Sequence, residues 1–247
     1  MEISLKPEII TSFLGIPVSN SLILSLITVS LLLAGGFVAV RSLQVVPRKV
    51  QNGAEMVLEN LLSFMAGTLG SLERAKTFFP LIASIFLFIL LNNWLGVLPG
   101  TGSIGVRELH EGKEVFAPLF RSANSDLNTT LALALISVIA IQFYGIRKLG
   151  FFKHFSKFIT LNKGPLGFFV GLLELIGEFA KVLSFSFRLF GNIFAGEVLL
   201  LIMMMLVPLL APFPFILMEF FVGFIQALVF AMLTLIFLKV ATEEVSH

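Results

Sequence analysis

Ten of the polar or ionisable side chains inside the two most extended apolar stretches of the chain are its best candidates for chemistry. The ionisable ones are Glu174, Glu178, Lys181, Arg188, Glu197 and Glu219. The uncharged ones are Ser184, Ser186, Asn192 and Gln226. An ionisable group is costly in hydrocarbon and therefore marks an ion pathway or another functional site by default.

Arg188 and Glu197 fall on opposite sides of one predicted helix. Nine residues at 100° each place Glu197 about 180° around the helix from Arg188 and roughly 13 Å along its axis, so the two cannot form a simple salt bridge. Arginine is a permanent cation that cannot shuttle protons, but a carboxylate can approach and leave it. Asn192, four residues further on, shares the environment of Arg188. The helix therefore presents a fixed cation on one face and a titratable acid on the other.

Glu197 and Glu219 are predicted to lie in the outer half of the membrane on adjoining antiparallel helices. If they face each other they titrate as a coupled pair, which suits a proton relay. The alternative is two acids that reach the membrane surface independently. Gln226 follows Glu219 by seven residues and lies on nearly the same helix face.

A second group of charges lies near the cytoplasmic end of the same long helix. Glu174, Glu178 and Lys181 have the spacing i, i+4, i+7, which places them on one face. They can form a local Glu–Lys ion pair that stabilises the helix. They can equally line a polar, wettable entrance from the inside. The residue spacing leaves both interpretations open.

The composition requires a membrane environment for these groups. Of 247 residues, 57% are hydrophobic and 13% charged, too little charge to cover the surface of a soluble domain. This composition excludes a soluble enzyme and a disordered tail. A nucleic-acid module is excluded as well, since the net charge is only +2. The chain has no cysteine and three histidines scattered in predicted loops or at the terminus. We therefore expect no metal site, no cofactor and no nucleic-acid partner.

The predicted fold class is an all-α integral membrane protein that forms a single membrane domain over residues 1–247. About five helices are membrane-embedded, and an amphipathic helix lies at the interface. The predicted bounds are 22–40, 79–98 and 127–146 for three spans, 48–74 for the amphipathic helix, 165–207 for a tilted helix and 215–240 for its tilted return.

The segment 165–207 is far too long for an upright span. As one helix its 43 residues measure about 64 Å, against about 30 Å of hydrocarbon. It must tilt steeply, bend or fold into a hairpin, and the lack of a turn signal favours steep tilt, so that the last two helices form a long tilted hairpin.

The positions of lysine and arginine predict the orientation. Ten of the 17 basic residues lie in the segments 41–78 and 147–163. Such loops face the cytoplasm or matrix. The N-terminus is then outside and the C-terminus inside. The amphipathic helix between the first two spans rests in the interface plane or docks a partner.

Four segments resemble one known family. Residues 184–197, SFSFRLFGNIFAGE, closely resemble the signature of the subunit a family of F-type ATP synthases. Residues 125–134 (SDLNTTLALA) and 225–230 (IQALVF) resemble two further family segments in the expected order. Residues 92–100 (NNWLGVLPG) fit more loosely. The resemblance runs from about residue 50 to the end.

The resemblance implies a role for each candidate residue. The family is the stator half of a membrane motor, not catalytic by itself, whose tilted hairpin packs against a ring of c subunits. By position, Arg188 would be the arginine that separates two offset aqueous half-channels. The outer half-channel would be lined by Asn192, Glu197, Glu219, Gln226 and Asp126. The inner half-channel would be approached by Glu174, Lys181 and Ser184. Many members have histidine where this chain has Glu219.

The resemblance also implies partners and a location. The partners would be the c-ring, the b subunits of the peripheral stalk, the rest of the F1Fo ATP synthase and membrane lipid. The location would be the bacterial plasma (inner) membrane or the energy-transducing membrane of an organelle. The alternative from another class is a secondary ion transporter with an intramembrane carboxylate relay. Internal repeats and broken helices typical of such transporters are not evident in the sequence.

Overall fold

The computed structural model describes residues 8–13, 16–41, 49–98, 105–110, 113–155, 164–207 and 212–243. Five helices in this part of the chain are long and apolar enough to cross a membrane. They are α1 (Asn20–Arg41), α3 (Leu72–Val97), α4 (Leu127–Leu149), α6 (Gly164–Leu206) and α7 (Pro212–Thr242). The predicted class, a mostly helical membrane protein, is confirmed. Both chain termini, residue 48 and the lysines at 157 and 163 lie outside the described residues.

The helix α6 is continuous over 43 residues, within one residue of the predicted bounds. The alternative prediction, that this segment folds into a hairpin, is therefore wrong. The helix α7 returns beside α6 in the antiparallel direction, because contacts between the two run in opposite order along the chain. Phe185 contacts Phe230, and further along α6 the Asn192 side chain contacts Gln226. The steep tilt of this pair remains a prediction.

The predicted helix 48–74 is too long at its C-terminal end. The helix α2 (Lys49–Leu69) stops at Gly70, whose φ of 68° lies in the left-handed region that glycine adopts without strain. Ser71 then caps α3, since its hydroxyl accepts a hydrogen bond from the Arg74 backbone N–H at 3.4 Å. As a result α3 begins at Leu72, seven residues before the predicted start of the span.

Two short β-hairpins depart from the prediction of an all-helical chain. Strands β1 (Ile9–Phe13) and β2 (Ile16–Ser19) pair antiparallel before α1. Strands β3 (Gly105–His110) and β4 (Lys113–Pro118) pair antiparallel between α3 and α4. A short 3-10 turn (Ala123–Ser125) and the short helix α5 (Phe151–Phe155) flank α4.

The core of the bundle lies between α3 and α7, with α2, α4 and α6 packed around them. Helices in lipid gain little from the hydrophobic effect, so close van der Waals packing of complementary side chains must hold them together. The most buried apolar side chains from the five helices include Met65, Ile82, Ile89, Ile141, Phe185, Leu189, Phe230, Leu235 and Leu238.

Two helices leave much of their apolar surface uncovered. On α1, the buried side chains are Asn20, Ser21, Leu24 and Thr28, all within its first three turns, and most of the rest is exposed. On α6, one face packs against α4 and α7, while the opposite face carries exposed Leu183 and Phe187. Large exposed apolar faces suit lipid or a membrane partner.

Candidate functional site

Arg188 lies on the uncovered face of α6, near the middle of that helix. The residue is exposed, and the side chains of Leu183 and Phe187 beside it are 53% and 54% exposed. Its guanidinium Nη2 donates a hydrogen bond to the Ser184 hydroxyl one turn earlier, at 3.0 Å. No described acidic side chain forms a salt bridge with it. A permanent cation thus faces outward from the protein, at mid-helix, without an acidic partner in the described part of the chain.

Asn192 and Gln226 connect the two long helices one turn beyond Arg188. The Asn192 amide Nδ2 donates to Gln226 Oε1 at 2.8 Å. Gln226 is buried, and its own Nε2 has no hydrogen-bond partner within the described residues. Buried polar atoms of this kind are usually satisfied by ordered water. The pair therefore places polar groups between the open face of α6 and the interior of the bundle.

The carboxyl group of Glu219 on α7 lies against Gly196 on α6. Glu219 is buried, with 3% of its surface exposed. A Cβ atom built on Gly196 would overlap the Cδ and both oxygen atoms of that carboxyl group. Glycine therefore leaves the space that the Glu219 carboxyl occupies, and no larger residue fits there without moving it.

Glu197 forms an ion pair with Arg121, which lies in the segment before α4. The Arg121 Nε lies 3.1 Å from Glu197 Oε1 and 3.3 Å from Oε2, and it also donates to the Ser125 hydroxyl at 3.1 Å. The Arg121 side chain is only 9% exposed, whereas that of Glu197 is 33% exposed. Arg121 is therefore a third charged group beside the predicted pair of acids, Glu197 and Glu219.

A buried polar cluster adjoins this ion pair. We call it the outer polar cluster, because it lies on the side that the distribution of basic residues predicts to be outside. Its members come from the start of α1, the end of α3 and the segment before α4. They are Asn20, Ser21, Thr28, Asn92, Asn93, Asn124, Ser125 and Asp126. Asn124 Nδ2 donates to Asn93 Oδ1 at 2.7 Å, and Asn93 Nδ2 donates to the Gly223 carbonyl at 3.0 Å. This chain of amides leads from the 3-10 turn to α7, one turn from Glu219.

Asp126 has a structural task within the outer polar cluster. Its carboxylate caps α4 by accepting a hydrogen bond from the Asn128 backbone N–H at 3.0 Å. It also accepts a hydrogen bond from the Ser21 hydroxyl on α1 at 3.1 Å. It thereby ties α1 to the start of α4. The sequence spacing could have suggested the cap, because Asp126 directly precedes an apolar run.

An ion pair forms within the group of charges near the predicted cytoplasmic end of α6. Lys181 Nζ donates to Glu178 Oε1 at 2.6 Å and lies 4.8 Å from the centre of the Phe237 ring. The local ion pair that the sequence left open is therefore present. Glu174 is half-buried one turn before this pair, and Ser184 is exposed at the other end of the group.

The residues brought together here have the chemistry that proton transfer needs. Among the described residues, no three His, Asp or Glu side chains come together as metal ligands would. The carboxylates of Glu197 and Glu219 lie on neighbouring parts of α6 and α7, beside amides and hydroxyls that hold water well. Arg188 lies on the opposite, open face of α6. The site can therefore carry protons from one side of α6 towards a fixed cation on the other.

Comparison with known proteins gives matches over most of the chain. A protein-family model described as ATP synthase A chain matches residues 22–239. The chain is 36% identical over 207 residues to a Campylobacter jejuni protein named ATP synthase subunit a, covering 83% of this chain and 81% of the relative. Proteins of the same name from Campylobacter concisus (37% over 221 residues, 88% of each) and Geotalea daltonii (36% over 218 residues, 87% and 84%) are similarly related. The matched region includes Arg188, Glu197 and Glu219.

Proposed function

The chain belongs to the ATP synthase A chain family, and from this membership we propose that it forms the stationary proton path of an F-type ATP synthase. In this proposal the chain is not catalytic by itself. It provides two offset half-channels and couples proton flow to rotation of a ring of c subunits. The observation that carries the proposal is the exposed, mid-helix Arg188 without an acidic partner in the described chain.

A carboxylate from another chain would supply a counter-charge for Arg188. An unpaired cation at mid-membrane is costly, and such residues almost always pair with a carboxylate or face a water-filled cavity. The face around it is apolar and exposed, as a surface that slides past other membrane helices would be. We propose that each c subunit presents a membrane carboxylate that loses its proton beside Arg188. The same cation repels protons from a direct path between the two half-channels.

The outer half-channel runs from the outer polar cluster to the α6–α7 crossing. Protons would pass the Arg121–Glu197 pair and the buried carboxyl of Glu219, then the Asn192–Gln226 pair, before reaching the open face of α6. The unpartnered buried amide atoms of Gln226 and Asn124 favour water along this route. Asp126 contributes by holding α1 and α4 in place and by its charge at the outer end.

The inner half-channel would begin at the group formed by Glu174, Lys181 and Ser184. The length of α6 separates this inner group from the outer half-channel. A helix of about 64 Å extends well beyond the membrane thickness unless it is tilted. A steeply tilted α6 separates the two entrances sideways as well as in depth. A proton leaving one entrance must therefore ride the ring to reach the other.

The proposal includes an assembly and a location. The c-ring, the b subunits of the peripheral stalk and the F1 head would be the partners, and membrane lipid would surround the exposed face of α1. The whole chain, 1–247, would form one membrane domain in a bacterial plasma membrane. The N-terminus would be outside and the C-terminus cytoplasmic, as the distribution of basic residues predicts.

The decisive experiment is purification of the tagged chain from its own membranes in mild detergent. We expect c subunits, b subunits and the soluble F1 subunits in constant ratio to this chain. A chain purified alone that still transports ions in liposomes would instead indicate a secondary transporter. Proton pumping by the purified complex, measured with and without sodium, identifies the coupling ion.

Substituting Glu197→Gln should slow ATP-driven proton pumping without abolishing it, because Glu219 and nearby water can carry part of the traffic. The double variant Glu197→Gln/Glu219→Gln should have no measurable pumping, since no carboxylate then remains at the α6–α7 crossing. Quenching of an acridine dye in inverted membrane vesicles measures both. Wild-type rates in the double variant would contradict the relay. Glu59→Gln on α2 is the matched control, because this exposed glutamate lies outside the proposed path.

A further inference from the structure

A cavity of about 490 Å³ lies at the end of the bundle opposite the outer polar cluster. It is an open cavity bordered by the first turns of α3, the last turns of α4 and the C-terminal end of α7. Its lining residues are Arg74, Thr77, Phe78, Tyr144, Arg147, Lys148 and Thr242. Its volume is that of a small-molecule binding site. None of these residues takes part in the proposed proton path.

The cavity is strongly cationic. Arg74, Arg147 and Lys148 are all exposed, and the cavity is also lined by Thr77 and Thr242, whose hydroxyls donate to backbone carbonyls of their own helices. One acid, Glu243, lies 3.8 Å from the Arg74 guanidinium, which leaves an excess of positive charge. The floor is aromatic, since the rings of Phe78 and Tyr144 meet edge to face with centroids 5.2 Å apart. Such a site suits a phosphate group attached to an apolar body.

The location favours a lipid over a soluble anion. The cavity lies where three membrane-spanning helices end, on the side that the basic residues predict to be cytoplasmic, and so at the level of lipid headgroups. Exposed Ile136 and Phe143 lie on α4 within about 40° of Arg147 around the helix. They form an apolar track from the cavity towards the middle of the membrane. An acyl chain can lie along this track while its headgroup occupies the cavity.

We propose that this cavity binds the phosphodiester headgroup of an anionic phospholipid. Arg74, Arg147 and Lys148 would neutralise the phosphate, and the aromatic floor would contact the glycerol. Basic pockets between membrane helices on the cytoplasmic side recognise anionic headgroups by this chemistry, and each cation near the membrane surface contributes to the attraction. The bound lipid would join α3, α4 and α7 at the end of the bundle that carries the loop cations.

The test measures lipid retained by the purified complex, using native mass spectrometry with phosphatidylglycerol and phosphatidylcholine of identical acyl chains. Wild type should retain phosphatidylglycerol in preference to phosphatidylcholine. The variant Arg147→Gln/Lys148→Gln should lose about tenfold or more of that preference, because two surface cations are removed. The variant Arg41→Gln/Lys76→Gln removes one arginine and one lysine outside the cavity and should retain the full preference. The swap Arg147→Lys/Lys148→Arg, which keeps both charges, should retain most of it and confirms that the site still folds.

Three outcomes would overturn the proposal. Equal loss in both glutamine variants would show that net surface charge, not the cavity, attracts the lipid. Displacement of the lipid by inorganic phosphate at equal concentration would identify a site for soluble anions. Loss of a partner subunit from the Arg147→Gln/Lys148→Gln complex, with unchanged lipid retention, would show that an acidic protein segment fills the cavity. None of these readouts depends on proton pumping, so the proposed function can fail or stand independently.

Discussion

Replacing Arg188 by alanine is expected to abolish ATP-driven proton pumping while leaving the subunit inserted and bound to its partners. The guanidinium makes one hydrogen bond within the described chain, to Ser184, so its loss removes little from the packing of α6. Its proposed task is to stabilise a bare carboxylate at the depth of the membrane. Removing such a preorganised charge costs about 10² to 10³ in rate at sites shielded from water. We therefore expect a loss of about a hundredfold or more in vesicle acidification.

The matched control for Arg188→Ala is Phe187→Ala. Phe187 lies next to Arg188 on the same uncovered face and is 54% exposed, so its substitution removes contact area there without removing charge. It should pump at close to the wild-type rate. Immunoblots of washed membranes and recovery of c subunits establish insertion and assembly for both variants. An assembled Arg188→Ala complex that pumps would disprove the proposed role of the arginine.

The placement of Arg188 could be predicted from the sequence because charge is so scarce within the apolar stretches. Arg188 is the single arginine in a helix of 43 residues, and an arginine there has few functional explanations. Helical periodicity alone places it opposite Glu197. The structure places Arg188 on the open face of α6 and Glu197 on the side that packs against the rest of the bundle. The same scarcity identified the membrane-spanning helices, because long uncharged runs leave little choice of structure in lipid.

The partners of these residues could not be predicted in the same way. Arg121 is 76 residues before Glu197 in the chain, and its neighbours read as a polar loop. Its burial depends on how the segment before α4 folds back between α1, α3 and α6, which no periodicity describes. Asn93 and Asn124 likewise meet only because α3 and the 3-10 turn come together. Local patterns predict which helix face a residue occupies, whereas long-range packing decides which residue it meets.

Gly196 is the clearest example of a residue whose role depends on long-range packing. In the sequence, Gly191 and Gly196 are two similar glycines on one membrane helix, and either one can serve close helix packing. In the structure they differ completely. A Cβ atom on Gly191 would meet none of the described residues within 4 Å, whereas one on Gly196 would overlap the carboxyl group of Glu219. The space beside Gly196 is thus what allows an acid at the α6–α7 crossing.

Substituting Gly196→Ala should therefore reduce proton pumping by about tenfold or more, although the new residue favours helix formation by about 1 kcal/mol. The added methyl group must push the Glu219 carboxyl out of its buried position, since the atoms that it would overlap are the carboxyl group itself. Gly191→Ala is the matched control and should pump normally, because it makes the same chemical change in open space on the same helix.

The cause of the Gly196→Ala defect can be separated from a general loss of folding by shortening the acid. Glu219→Asp withdraws the carboxyl by one methylene, so Gly196→Ala/Glu219→Asp should pump faster than Gly196→Ala alone. Glu219→Asp by itself should pump more slowly than wild type, because its shorter side chain no longer brings the carboxyl group into contact with Gly196. Pumping is compared at equal amounts of assembled complex in the membrane. Equal rates for Gly196→Ala and Gly191→Ala, or no recovery in the double variant, would mean that the contact between Gly196 and Glu219 does not position the acid for proton transfer.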